Sequence, residues 1–92
     1  MADTIHDERR ARVRMEILRA LERVSGYSLG ENILFADTNV HIEPRATLSE
    51  FRNELETLEH MALVAIVAGG PLDSSRKVRI TASGRAALAE MR

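Results

Sequence analysis

Apolar side chains recur at Val13, Ile17, Leu21 and Val24, with Leu18 and Ala20 beside them, inside the otherwise charged stretch DERRARVRMEILRALERV of residues 7–24. That spacing lays them along one face of a helix. Gly26 just beyond is a natural stop, because it accepts positive φ without a Cβ clash. The next stretch, YSLGENILFADTNV, repeats the helical spacing at Leu29, Ile33, Ala36 and Val40. Ser28 and Glu31 have the separation of a capping box, so a second helix of about three turns is expected. HIEPRA then breaks the rhythm, since Pro44 has no N–H to donate and disfavours helix at Glu43.

Thr47 and Glu50 form a second capping-box pair, followed by a stripe of Leu48, Phe51, Leu55, Leu58 and Met61. The pattern predicts a third helix over 47–61, the best-marked element in the chain. After it the period shortens. LVAIVA at 63–68 is a β-prone run, GGPLDSS at 69–75 a turn, and RKVRIT at 76–81 a second strand with Val78 and Ile80 inward and Lys77 and Arg79 outward. Two such runs joined by a Gly/Pro/Ser-rich loop read as a hairpin. TASGRAALAEM at 81–91 returns to helical spacing, with Thr81 as the cap and Ala87, Leu88 and Met91 available for packing. The order is helix, helix, helix, hairpin, helix.

The chain has 92 residues, enough for one core and one domain, 1–92, in which disorder is expected, if anywhere, over the first six or so residues. It contains no cysteine, so disulfides and thiolate metal sites are excluded. No apolar run approaches the roughly 18 residues of a membrane span, and the N-terminus lacks a signal-peptide core. A soluble, cytoplasmic protein without membrane contact is the expectation. Net charge is −1, which gives no global pull towards polyanions, but the charge is uneven. Residues 25–62 hold two arginines against seven acids, whereas residues 63–92 hold five basic residues against two. A polyanion-binding surface must therefore draw on the ends of the chain.

Enzymatic chemistry is not indicated. His6, His41 and His60 are scattered, and the HIE at 41–43 has no cysteines with which to complete a deaminase-type zinc site. Gly69-Gly70-Pro71 lacks the lysine of a phosphate loop, and Ser74 and Ser75 have no adjacent histidine and acid. No cofactor, metal or small-molecule substrate is expected.

Three helices followed by a two-stranded hairpin make a winged helix-turn-helix layout, mainly α with a small β-hairpin. Leu55, Leu58, Leu63 and Val64 carry the third helix straight into the first strand, and I-T-x-S-G-R from Ile80 to Arg85 turns the second strand into the last helix. This resembles the MarR/PadR type of bacterial regulator over residues 13–90. A closer resemblance is to small winged-helix proteins of Mu-like phages and prophages, carried by ILRAL at 17–21, GYSLGENIL at 26–34 and FRNELETLEHMALV at 51–64. Two positions depart from that group. Ala62 stands where a glycine usually precedes the strand, so a left-handed turn there costs about 1 kcal/mol or is rebuilt. Leu48 stands where an arginine often follows the helix cap.

The resemblance implies a DNA-binding regulator using helix 47–61 and the wing at 69–79. Its candidate contacts are Arg45, Thr47, Ser49, Arg52 and Asn53, joined by Arg76, Lys77 and Arg79. Arg52 suits guanine O6/N7 and Asn53 suits adenine N6/N7, while the wing cations suit phosphates. Each has an alternative. Arg52 could pair with Glu56 at i, i+4 for about 0.3–0.5 kcal/mol, and charged strand residues can simply guard an edge. The four glutamates Glu50, Glu54, Glu56 and Glu59 argue against DNA. Glu50 has its capping role, and the other three lie towards the C-terminal half, where a docked helix can tilt away. Arg9, Arg10, Arg12 and Arg14 could extend a phosphate track. The expected partners are double-stranded DNA and a second copy of the chain, docked through the N-terminal helix. The competing expectation is a protein-interaction module whose acidic third helix meets a basic partner.

Overall fold

The N-terminal stripe does form a helix, α1 (Ala2–Glu22), and it is the axle of the domain. In the computed structural model, which describes residues 2–68 and 76–91, α1 starts at Ala2 and ends two residues short of Val24. Val13, Ile17, Leu18, Ala20 and Leu21 are essentially solvent-free, the four larger side chains each contributing about 1.5–3 kcal/mol by burial. They meet three further helices, α2 (Glu31–Thr38), α3 (Leu48–His60) and α4 (Ala82–Met91), and a small sheet. Glu16 is buried on the same helix, with Arg12 and Arg19 each 3.3 Å from its carboxylate.

The second helix corrects the sequence reading. Residues Leu29–Gly30 form a short strand, β1, and the helix α2 spans only Glu31–Thr38, followed by a 3-10 turn at Asn39–His41. Gly30 is its N-cap, and no side chain caps it, so the Ser28–Glu31 capping box does not form. The predicted apolar face is also turned outward. Ile33 is 63% and Val40 68% exposed, while Glu31, Leu34 and Thr38 point into the protein. Phe35 packs against Phe51 with ring centroids 5.1 Å apart, which fixes the rotation of α2 by aromatic contact with α3.

The connection to α3 is pinned by Asn39. Its buried amide donates to the Ala46 carbonyl at 3.2 Å and accepts from the Ala46 N–H at 2.7 Å, closing the loop in which Pro44 interrupts helix. Ile42 and Ala46 from this loop enter the core. α3 then starts as expected. The Thr47 hydroxyl accepts from the Glu50 N–H at 3.1 Å and the Glu50 carboxylate accepts from the Thr47 N–H at 3.1 Å. Phe51, Leu55 and Leu58 are buried, whereas Leu48 and Met61, assigned to the same stripe, are exposed.

α3 ends in a left-handed residue, Ala62 with φ +60, so the turn is kept without its glycine. The hairpin follows as β2 (Val64–Val67) and β3 (Lys77–Ile80); the predicted turn at 69–75 lies outside the described residues. β3 is central, paired antiparallel to β2 on one side and to β1 on the other. Val78 and Ile80 face the core, as the alternation predicts. Thr81 caps α4 by accepting from the Gly84 N–H at 3.0 Å and donates to the Ala62 carbonyl at 2.8 Å. Gly84 is required there, because a Cβ would sit 2.1 Å from the Leu63 carbonyl oxygen. Leu88 is buried on α4, while Met91 is exposed and contributes little packing.

Candidate nucleic-acid interface

The outward side of α3 is set by the burial of Phe51, Glu54, Leu55 and Leu58, which leaves Ser49, Arg52, Asn53, Glu56 and Glu59 exposed. Two adjoining grooves run along it. One is lined by Leu48, Ser49, Arg52, Asn53 and Glu56, the other by Arg52, Glu56, Glu59, Ile66 and Arg76. Arg52 lies in both.

The glutamates divide. Glu50 and Glu54 turn to α1 and are neutralised there. Arg9 donates to Glu50 through Nε at 2.9 Å, and Arg10 Nε and Arg14 Nη1 each reach Glu54 at 2.8 Å. Glu54 is only 2% exposed, so it is a packed ion-pair centre rather than an acid on the helix's C-terminal surface. The same bonds occupy α1's arginines, and Arg12 reaches Glu16 and the His41 carbonyl. These side chains join helices together instead of forming a free basic track. The Arg9 hydrogen bond, followed by the Thr47 N–H, holds the Glu50 carboxyl below the ordinary glutamate range.

Arg52 does not pair with Glu56. Its Nε and Nη2 donate to Glu31 Oε1 at 3.3 and 3.2 Å. Arg76 donates to Glu31 Oε2, with Nε at 3.0 Å, so one carboxylate from the start of α2 joins the third helix to the turn end of the hairpin, just before β3. Burial pushes the Glu31 carboxyl up, but the hydrogen bonds from Arg76 and Arg52 outweigh it and hold the group below the ordinary range. Both arginines stay about half exposed.

Comparison with family models, curated proteins and solved structures returned no match. The site therefore rests on its own geometry. Ser49, Arg52, Asn53 and Arg76 are brought onto one continuous surface. Arg45 lies exposed just before the N-cap of α3, and its guanidinium has no partner among the described residues. Thr47 is spent largely on capping, and the Asn53 amide leans on Glu54 at 3.3 Å. Lys77 and Arg79 project from the face of β3 opposite the core, beside Val67 and Ala65, and line neither groove; Ile66, which does, pairs with core-facing Val78 on the other face of the sheet. Glu31 was missed, because its sequence neighbourhood suggested a local cap. Its partners lie 21 and 45 residues away, a separation that no local pattern encodes. No helix among the described residues is long and apolar enough to cross a membrane.

Proposed function

We propose that the chain is a winged helix-turn-helix DNA-binding protein, a transcriptional or phage-type regulator in which α3 enters the major groove and the β2–β3 hairpin serves as the wing. The observation that carries this reading is the withdrawal of Glu50 and Glu54 towards α1, which leaves Ser49, Arg52 and Asn53 on the outward N-terminal half of α3 with Arg76 alongside. Arg52 is the base-reading residue, while Arg45, Lys77 and Arg79 neutralise phosphates. A homodimer would double the footprint. Its proposed contact is the first part of α1, where Ile5 is exposed. The family resemblance in layout and motif supports the same assignment.

Glu56 and Glu59, exposed on the same face, favour a second reading in which α3 docks a basic protein. Fluorescence anisotropy with mixed-sequence duplex DNA across a salt series separates the two. Binding at low salt that weakens steeply as salt rises is expected, because neutralised phosphates release counterions. Absence of binding at low salt would remove the DNA reading.

A further inference from the structure

The geometry points to Glu31 as the positioning residue that gives Arg52 its base specificity, an inference that rests on the DNA-binding reading above. A guanidinium presents five N–H donors in a fixed plane. Glu31 occupies the edge of Arg52 made by Nε and Nη2, so the donors left over are those of Nη1 and the outer hydrogen of Nη2. These form the end-on pair, whose spacing matches guanine O6 and N7. An arginine on a free, four-torsion side chain presents either edge to a base or drifts to a phosphate. An arginine fixed along one edge presents only the other. Glu31 is itself held from both ends: its side chain is 9% exposed, its backbone N–H donates to the Arg76 carbonyl at 2.9 Å, and Arg76 occupies its second oxygen. The carboxylate thus has no freedom to follow Arg52, which makes it an anchor.

An anchor carrying a negative charge has a two-part signature that a merely structural residue lacks. Glu31→Gln removes a charge opposite the phosphates, so affinity for scrambled duplex should hold or rise. The same change should loosen Arg52, so preference for a guanine-containing site over the same duplex with that guanine replaced should fall about tenfold. The site is first found by selection from random duplex DNA, and both affinities are read by anisotropy at one salt concentration. In an Arg52→Ala background, Glu31→Gln should cause no additional loss of preference. A variant that keeps the wild-type preference overturns the proposal, as does a wild-type protein that binds DNA without any preference. Wild-type protein that does not bind at low salt instead removes the underlying DNA reading. A second measurement needs no variant to fold: in the free wild-type protein, the Arg52 Nε–H should exchange with water more slowly than that of Arg45, which has no partner among the described residues. Equal exchange at the two positions overturns the anchor.

Discussion

Replacing Ala62 by glycine should stabilise this protein, although glycine ordinarily weakens a fold. Ala62 has φ +60 at the turn between α3 and β2, a region that costs an L-residue about 1–2 kcal/mol because Cβ crowds the carbonyl oxygen. Nothing forces the side chain to be alanine. The residue is exposed, so deleting its methyl sacrifices almost no burial. The turn is held through the backbone, by the Ala62 N–H to Glu59 carbonyl bond at 2.9 Å and the Thr81 hydroxyl to Ala62 carbonyl bond at 2.8 Å. Both survive the substitution. Against the relief stands the greater freedom of glycine in the unfolded chain, about 0.4–1 kcal/mol. The net gain is about 0.5–1 kcal/mol, which for a domain of this size raises Tm by roughly 2–8 °C. Urea titration of wild type and Ala62→Gly should show a higher midpoint at unchanged slope. A midpoint that falls would mean that the turn is not left-handed at this residue, and the account of how α3 passes into the hairpin would fail with it.

Asn39→Ala should destabilise by about 1–3 kcal/mol, measured by the same titration, because it strips Ala46 of two buried hydrogen bonds; an effect near zero would show that Asn39 does not pin the loop. Glu31 and Glu50 both have folded-state values lowered by their partners, so their contribution is complete above the ordinary glutamate range and is lost as pH falls through the lowered values. The urea midpoint should therefore drop on acidification, and less steeply in Glu31→Gln or Glu50→Gln; a flat profile would contradict the pairing. Glu56→Gln and Glu59→Gln should each tighten DNA binding about twofold at low salt, the effect of removing about 0.5 kcal/mol of repulsion across water. Unchanged anisotropy titrations would place these residues away from the duplex.

What the sequence disclosed was chemistry between near neighbours. The Thr47–Glu50 cap, the Phe51–Leu55–Leu58 stripe, the alternation of Val78 and Ile80 and the Thr81 cap involve residues within a few positions of each other, and all are present. Ser28 and Glu31 obey the same local rule and fail. Gly30 is extended at φ −60 and ψ 145, β1 pairs with β3, and the half-exposed Arg52 and Arg76 hold the Glu31 carboxylate beneath them, away from a cap. In α2 two stripes compete, one of Leu29, Ile33, Ala36 and Val40, the other of Glu31, Leu34 and Thr38. Apolarity favours the first, yet the second is buried, because the buried glutamate finds arginines that no spacing rule can anticipate. Glu54 repeats the lesson on α3: the acidic tally of residues 25–62 is not a surface property once Arg10 and Arg14 fold over it. Which candidate residues share one surface, Ser49, Arg52, Asn53 and Arg76, and which charges are neutralised was thus not readable from local spacing.

The central claim, that the outward face of α3 reads base sequence while the wing holds phosphates, is tested most directly by comparing alanine variants on two duplexes. Affinities of Arg52→Ala, Lys77→Ala and Arg79→Ala are measured on the selected site and on a scrambled one, each across a salt series. Arg52→Ala should lower affinity for the selected site alone. Lys77→Ala and Arg79→Ala should weaken both duplexes alike and flatten the salt dependence by about one unit of slope each. Equal, sequence-blind losses from all three variants would contradict a reading role for Arg52.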